Sequence, residues 1–268
     1  MSGHAPMRSH VDQRLRQLLE SDAPNEKRSY DLLLLGAAYR MEILKAVLVE
    51  RTQRVVAGGP FAGMRLLDEV SDGCYLPKLM GTYEGALHLH FDAACTRGYD
   101  AVVNIGCAEG YYAVGFARRL PQAQVHAYDI DPNARRLCAN MARLNGVGER
   151  LHIADRFDGA MFAGFAGKRT LVVCDIEGGE VDLIRPDLFP ALRGMDLIME
   201  LHDWGGNPAS TIVPPRFAAT HEVVVLDGRS RAGRLPDALS TLSELDQMVV
   251  TWEGRREQTP WAVMTARA

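Results

Sequence analysis

The sequence lacks the features that mark several common classes of protein. Its five cysteines are scattered and never form a C-x-x-C pair, which argues against a disulfide framework and a thiolate zinc site. Its most apolar run, Leu32 to Ala38, is far too short to span a membrane, and the N-terminus has no apolar signal core. We therefore expect a cytoplasmic protein without a membrane partner.

An excess of basic charge is also missing. The formal net charge is −4, so the chain has no overall basic field and a nucleic-acid partner gains no support from it, although a local basic patch stays open. With 268 residues, 47% hydrophobic and 24% charged, the chain is long enough for one large domain with an appendage.

The pattern along the chain changes near residue 97. Before it, residues 1–96 predict an N-terminal helical extension and a connector, whereas residues 97–268 alternate strands with helices, which is typical of an α/β protein with a doubly wound, mostly parallel sheet. We predict a Rossmann-like core of seven strands there. The predicted strands are 101–105, 124–129, 151–154, 170–175, 196–200, 222–226 and 262–266.

One long amphipathic helix is predicted in the extension. It begins at Ser29 as N-cap, places Leu32, Leu35, Tyr39 and Ile43 on one face, and is stopped by the glycines and proline at 58–60. Its apolar face could pack on the core or on a second subunit, which leaves a homo-oligomer open. Residues 61–85 predict an ordered connector, 86–96 a short helix and 245–252 a further helix.

A glycine-rich turn follows the first predicted strand, in the stretch VVNIGCAEGYYAVGFA. A dinucleotide fingerprint counted from Gly106 would need glycines at Ala108 and Tyr111, so NAD and FAD are disfavoured. The turn instead resembles the first motif of class I methyltransferases that use S-adenosylmethionine (SAM), and small residues there would let the backbone approach the methionine and ribose parts of SAM. The residues of this motif, all candidates for cofactor binding, are Asn104, Gly106, Cys107, Ala108, Glu109 and Gly110.

Two acids after the next strands strengthen the resemblance. Asp129, followed by Ile130, ends the second strand, where a carboxylate can accept both ribose hydroxyls. Asp155 follows the third strand, where this superfamily often contacts the adenine amine. Each acid also has a plain interpretation: Asp129 as a helix cap and Asp155 as a loop acid. We assign the capping role to Asp131, which precedes Pro132.

Polar groups follow the fourth and fifth strands, in VVCDIEGGE and LIMELHDW. CDIEGGE, continued by LRGMDLIMELHD, resembles the FkbM-like methyltransferases between residues 101 and 203. That resemblance implies methyl transfer, largely to oxygen, including hydroxyls of natural products. Asn104 stands where many members of that family have an acid. No N-P-P-Y-like tetrapeptide follows the fourth strand, which counts against methylation of amino groups on adenine or glutamine.

These polar groups suggest a mechanism. We hypothesise that His202 is the general base for an acceptor hydroxyl, that Asp175 and Glu200 orient it, and that Glu177 belongs to the same catalytic group. The alternative is a histidine that only hydrogen-bonds a loop. The carboxylates could also gather Mg²⁺ that holds two acceptor oxygens. Glu180 is expected only to begin a helix. The candidate metal ligands are Asp175, Glu177, Glu200 and Asp203.

The predicted function is thus SAM-dependent methyl transfer, most simply to a hydroxyl of a small or sugar-like molecule. Glu84, in the loop LMGTYEG, could close over the methionine end of SAM, or belong to a capped turn. Three other functions stay open: methylation of RNA or protein, an aminopropyl transferase that uses decarboxylated SAM, and a SAM-binding partner subunit without turnover.

Overall fold

A seven-stranded sheet forms the centre of the protein. The structure, a computed structural model, describes residues 4–71, 74–203, 206, 208–228, 235–255 and 259–267. The strands lie in the order β3-β2-β1-β4-β5-β7-β6, all parallel except β7, which pairs antiparallel with both β5 and β6. The strands are β1 (Ala101–Ile105), β2 (Gln124–Tyr128), β3 (Leu151–Ala154), β4 (Thr170–Cys174), β5 (Asp196–Glu200), β6 (His221–Leu226) and β7 (Trp261–Ala266).

This architecture confirms the predicted fold class, a doubly wound, Rossmann-like α/β protein with a mostly parallel, seven-stranded sheet. Every predicted strand is present, with ends that agree to within one residue. The central strands β1, β4 and β5 are buried along their whole length, which explains why they appear in the sequence as continuous apolar runs rather than as alternating patterns.

Helices cover both faces of the sheet. Those predicted at 86–96 and 245–252 are confirmed, and Asp131 caps the helix Pro132–Leu144 by accepting a hydrogen bond from the backbone N–H of Asn133. The helices are α1 (His4–Leu19), α2 (Asn25–Thr52), α3 (Tyr75–Met80), α4 (His88–Cys95), α5 (Tyr111–Arg119), α6 (Pro132–Leu144), α7 (Glu180–Leu183), α8 (Ala209–Ile212) and α9 (Glu244–Thr251).

The N-terminal part departs from the prediction in four ways. The long helix α2 ends at Thr52, with Gln53 as its C-cap, and not at the glycines and proline at 58–60. The long helix α2 begins at Asn25 after Pro24, not at Ser29, whose hydroxyl instead donates to the carbonyl of Glu26. Its buried residues are Leu44 and Leu48, so only its C-terminal half meets the core. The connector contains α3, which the sequence hid because all six of its residues are buried and show no amphipathic period.

Side-chain contacts tie the extension to the end of the chain. The guanidinium of Arg40 on α2 donates two hydrogen bonds of 2.7 Å to the carboxylate of Asp246 on α9. No helix in the described ranges combines the length and apolar character needed to cross a bilayer.

Candidate active site

A cleft with two lobes opens at the carboxyl ends of β1, β2, β4 and β5. One lobe, of about 570 Å³, lies over β2 and β3, and the other, of about 440 Å³, lies toward β5. We call them the apolar lobe and the polar lobe. Both are lined by Gly106, Asp129, Asp175 and Glu177, so the two lobes meet above the turn that follows β1.

The turn after β1 brings two strand ends into close contact. Gly106 has a φ of +78°, and a Cβ built there would lie 1.6 Å from the backbone oxygen of Asp175, so only glycine fits. Ala108 also has a positive φ, +47°, although it carries a Cβ. Both residues line the polar lobe. The backbone of this turn therefore borders the cleft, as predicted.

Asp129 stands at the junction of the lobes. One carboxylate oxygen accepts a hydrogen bond of 2.9 Å from the backbone N–H of Ala108, and the other accepts one of 2.9 Å from that of Asp131. These bonds fix the carboxylate and leave each oxygen a further lone pair for a ligand. The capping role belongs to Asp131, as predicted, so Asp129 is not needed for it.

Aromatic and aliphatic side chains form the wall of the apolar lobe. Tyr128 and Phe157 meet edge to face with ring centroids 4.9 Å apart, and Phe189 also lines the lobe. Ile130 lines it with 73% of its surface exposed. Asp155 lies at its rim, where the backbone N–H of Arg156 lowers the pKa of its carboxyl. A flat, apolar ring system fits this lobe, with a polar group at its edge.

Four residues of the predicted cofactor motif lie beneath the cleft instead of lining it. Asn104 is fully buried and its amide donates to the carbonyl of Val173 on β4. Cys107 is buried, and its hydrogen bond with Cys138, followed by burial, raises the pKa of its thiol. Gly110 packs on Cys138, with room for no Cβ. The motif therefore shapes the turn, and only Gly106 and Ala108 reach the cleft.

Glu109, the fourth of these residues, forms a buried ion pair. Its carboxylate lies 2.5 Å from the ammonium of Lys78 on α3, and both side chains are 2% exposed. Its other oxygen accepts from the hydroxyl of Ser71. Burial alone would raise the pKa of Glu109, but the charge of Lys78 outweighs it and the pKa is lowered. The pair fastens the connector to the turn, and Lys78 was not identified from the sequence.

The polar lobe gathers the groups predicted after β4 and β5. His202 Nε2 lies 3.4 Å from Glu177 Oε2, 3.5 Å from Glu200 Oε2 and 4.0 Å from Asp175 Oδ1. His202 and Glu200 are almost fully buried, at 2% and 3% side-chain exposure. The four predicted catalytic residues, Asp175, Glu177, Glu200 and His202, are thus brought together.

Glu180 has a larger role than beginning a helix, and that expectation was wrong. It is the first residue of α7, yet it is fully buried and its carboxylate lies 2.8 Å from His202 Nδ1. Burial would raise the pKa of Glu180, but the hydrogen bond from His202 reverses this and lowers it. The pKa of His202 is raised, because Glu180 and Glu200 outweigh the lowering effect of burial. The carboxylate therefore fixes the orientation of the imidazole.

Asp175 and Glu200 both line the polar lobe, beside His202. Burial, and then the neighbouring charge of Glu200, raise the pKa of Asp175 well above its usual range. The Oδ1 atom of Asp175 is buried and accepts no hydrogen bond from the described residues. This end of the cleft therefore holds more carboxylate than its own donors can satisfy.

Two further residues complete the comparison with the sequence predictions. Glu177 is 68% exposed and holds a φ of +59°, which is a strained conformation for a residue with a side chain. Asp203, predicted as a metal ligand, faces away and accepts from the backbone N–H and hydroxyl of Ser210. Its neighbour Trp204, also in the predicted polar rim, lies outside the described residues.

The segment after α9 closes the polar lobe. Arg255 donates to Glu200 Oε1 at 2.5 Å and also pairs with Glu84, whose backbone N–H donates to Glu253. Burial raises the pKa of Glu84 to about 8, despite the opposing charge of Arg255. Arg255 therefore links the loop that contains Glu84 to Glu200 in the polar lobe. Nothing in the sequence marked Arg255, because Glu200 and Glu84 lie 55 and 171 residues away from it.

Comparison with solved structures gives distant similarities. An O-methyltransferase from Bacillus cereus in complex with SAH is 10% identical, with 96% of this chain and 97% of that chain covered and a TM-score of 0.42. The O-methyltransferase TomG from Streptomyces achromogenes, involved in tomaymycin synthesis and solved with SAM, is 14% identical over 84% of this chain and 99% of that one (TM-score 0.42). A ribosomal protein L11 methylase from Lactobacillus delbrueckii subsp. bulgaricus is 13% identical over 76% and 86% (TM-score 0.46). No family model and no curated protein matches the sequence.

Proposed function

We propose that the protein is a SAM-dependent methyltransferase that acts on a hydroxyl oxygen of a small molecule. The observation that carries this proposal is the position of Asp129 and Gly106, which line both lobes of the cleft at their junction. An elongated ligand with an apolar ring at one end and a polar, charged part at the other would span the two lobes. Its diol would lie at Asp129.

SAM has these properties. Its adenine suits the aromatic wall formed by Tyr128, Phe157 and Phe189, with Asp155 at the rim. Its ribose hydroxyls are donors that the lone pairs of Asp129 can accept. A dinucleotide does not suit the turn, because Tyr111 is buried at the position where a fingerprint glycine would pack.

Charge in the polar lobe supports a cationic ligand part. Among the described residues of the lobe, carboxylates outnumber cationic side chains: Asp175, Glu177, Glu200 and Glu253 line it, against Arg255 and the titratable His202. The sulfonium and amino groups of SAM would offset part of this excess. In the transfer, the bond from carbon to sulfur breaks as the bond from carbon to the acceptor oxygen forms.

The acceptor would enter the polar lobe. Its hydroxyl must lie close to the methyl group and in line with the bond to sulfur, and its proton must leave. Asp175, Glu177, Glu200 and His202 are the side chains at that end that can hold a hydroxyl and accept its proton. A small acceptor fits the volume of about 440 Å³ better than a folded macromolecule does.

Titration calorimetry with SAM, S-adenosylhomocysteine, decarboxylated SAM and NAD tests the cofactor. We expect SAM and S-adenosylhomocysteine to bind and NAD not to bind. Asp129→Asn should weaken SAM by about 10- to 150-fold, the loss of a hydrogen bond to a charged group. Asp131→Asn is the matched control and should bind SAM normally, because its side chain only caps α6. Equal binding by both variants, or binding of NAD, would contradict the proposal.

Incubation with methyl-labelled SAM and pools of hydroxylated small molecules, amines, RNA and protein then tests the acceptor. The linkage of the new methyl group is identified by mass spectrometry and NMR. Label on oxygen of a small molecule supports the proposal, and label on RNA or protein supports a macromolecular acceptor. Binding of SAM with no labelled product in any pool would favour a partner subunit without turnover.

A further inference from the structure

We propose that Asp175 Oδ1, Glu200 Oε2 and His202 Nε2 form a binding site for one divalent transition-metal ion in the polar lobe. The binding site itself stands on these side chains alone, whereas its role toward an acceptor rests on the proposed function. The three ligand atoms come from the ends of β4 and β5, which pair directly, so the sheet holds them in a fixed arrangement.

The distances fit a single ion. The ligand atoms of the three residues all lie within 4.8 Å of one another, with His202 Nε2 3.5 Å from Glu200 and 4.0 Å from Asp175. Around an octahedral ion with bonds of about 2.1 Å, adjacent ligand atoms lie about 3.0 Å apart and opposite ones about 4.2 Å apart. The two separations from His202, 3.5 Å and 4.0 Å, lie between these values. Side-chain shifts of up to about 1 Å would bring the three ligand atoms to adjacent positions around one ion.

Glu180 prepares the imidazole to act as a ligand. Its carboxylate also accepts from the backbone N–H groups of Ile176 and Gly178, at 3.4 Å and 3.3 Å, and so is held in place. A carboxylate facing Nδ1 requires that nitrogen to carry the hydrogen, which leaves the Nε2 lone pair of a neutral imidazole directed at Asp175 and Glu200. This carboxylate–histidine pairing is the usual support behind a metal-bound histidine.

An ion would also compensate carboxylate oxygens that the surrounding side chains do not. Asp175 Oδ1 is buried without a hydrogen-bond donor among the described residues. Arg255 compensates Glu200, but through Oε1, so Oε2 still faces the centre of the group. A doubly charged ion at that centre would neutralise both carboxylates at once and remove their repulsion.

The ligand types select the kind of ion. Two carboxylate oxygens with one imidazole nitrogen suit Mn²⁺, Fe²⁺ or Zn²⁺ better than Mg²⁺ or Ca²⁺, which prefer oxygen alone. The ligands of the Mg²⁺ site predicted from the sequence therefore change in three ways. Glu177, whose side chain is 68% exposed, is no longer a ligand. His202 joins the ligands, and Asp203 leaves them because it binds Ser210.

The site deepens the proposed function by defining the acceptor. Three protein ligands leave three positions of an octahedral ion, enough for two adjacent oxygens of one acceptor, such as a vicinal diol or an α-hydroxy acid. Coordination lowers the pKa of the hydroxyl. Its proton passes to Glu177, whose carboxylate is exposed beside His202, and the resulting oxyanion takes the methyl group from sulfur. Because its Nε2 lone pair is occupied, His202 is a ligand and not the base.

Electron paramagnetic resonance of Mn²⁺ added to the chelator-treated protein tests the binding site without activity. We expect one Mn²⁺ per chain, with nitrogen modulation in the pulsed spectrum from a coordinated imidazole. Asp175→Asn, Glu200→Gln and His202→Ala should each weaken Mn²⁺ by at least about tenfold, and His202→Ala should also lose the nitrogen modulation. Asp203→Asn is the matched control and should bind Mn²⁺ like the wild type.

Three results would overturn the site: no Mn²⁺ bound by the wild type, a bound ion without nitrogen modulation, or equal affinity in the control and the ligand variants. The first two need only the wild-type protein and hold even where a variant fails to fold. SAM calorimetry on the same chelated samples separates the proposals. SAM binding without Mn²⁺ binding removes the metal site and keeps the proposed function, whereas the reverse removes the proposed function and keeps the site.

Discussion

The carboxylates on the two sides of the cleft differ in their hydrogen-bond and charge partners. On the side of β1, β2 and β3, Asp129 and Asp155 accept hydrogen bonds from backbone N–H groups, and the buried Glu109 has its own cation, Lys78. On the side of β4 and β5, Glu200 is buried and Asp175 is partly buried, and among the described residues Arg255 pairs with Glu200 while His202 lies within 4.0 Å of both carboxylates.

The difference lies in how the carboxylates are compensated. On the first side each carboxylate named above has a donor or a cation, whereas on the second side Asp175 Oδ1 has no donor among the described residues. Backbone donors hold a carboxylate in a fixed position and leave lone pairs for a neutral, hydrogen-bonding ligand. Buried carboxylates that lack donors instead make the binding of a cation favourable, since desolvation has already been imposed by the fold. We therefore expect the first side to recognise a nucleoside and the second to carry the chemistry.

The largest expected effect lies on the second side. His202→Ala should lower methyl transfer by roughly 10²- to 10⁴-fold, the range for losing a group that activates the acceptor. The affinity for SAM should stay within about threefold, because His202 does not line the apolar lobe. Initial rates and calorimetry on the same preparation measure both. A parallel loss of SAM binding would mean that the two sides are not separate in function.

Removing Lys78 would make the first side resemble the second. Lys78→Met leaves the buried carboxylate of Glu109 without its cation and should lower the free energy of unfolding by about 3–5 kcal/mol. The double variant Lys78→Met/Glu109→Leu should recover most of this loss, because no unpaired charge remains. Urea unfolding monitored by circular dichroism measures both. A double variant as unstable as the single one would show that packing of Lys78, not charge, holds the connector.

Glu84, on the second side, should make the stability of the protein depend on pH. Its pKa is raised from 4.5 to about 8, so between these values the folded protein binds a proton that the unfolded chain has lost. Stability should therefore fall as the pH rises through this window, by up to about 1.4 kcal/mol per pH unit. Glu84→Gln should flatten this slope in urea unfolding of chelator-treated protein at pH 5, 6.5 and 8. An unchanged slope would assign it to another group.

The smallest effect is expected at the rim of the apolar lobe. Asp155 is exposed, and its carboxylate accepts from the backbone N–H of Arg156. Asp155→Asn should weaken SAM by no more than about fivefold, because interactions of exposed charges contribute little. A loss as large as that of Asp129→Asn would move the main nucleoside contact from the β2 end to the β3 end. Calorimetric titration of both variants with SAM, side by side, distinguishes these two outcomes.

Much of the fold could be predicted from the sequence. Strands such as Thr170–Cys174 are short apolar runs bounded by turn residues, and α6 begins with Pro132 after the capping Asp131, so local chemistry defines their ends. The helix α3 was missed because burial on all sides removes the period that marks a helix at a surface. The start of α2 was misplaced because Ser29 is an acceptable N-cap, whereas the helix begins at Asn25 after Pro24 without any side-chain cap.

The candidate site was predicted in part. Asp175, Glu200 and His202 follow strands, and parallel strands deliver their ends to one edge, so their meeting followed from the pattern. The roles of Glu180, Lys78 and Arg255 did not. Each depends on a partner between 22 and 171 residues away, and no local spacing encodes such a distance.

The sequence by itself determined the order of strands and helices, the turn that only Gly106 can make, and the polar residues that end β4 and β5, because these follow from periodicity, backbone conformation and strand polarity. Only the tertiary structure decided which of those polar residues are buried and which are compensated. Asp203 turns away to Ser210 while Glu180 turns in to His202, although both are acids that follow a strand. The physical reason is that desolvation and charge pairing depend on distances through space, which are set when distant segments pack together.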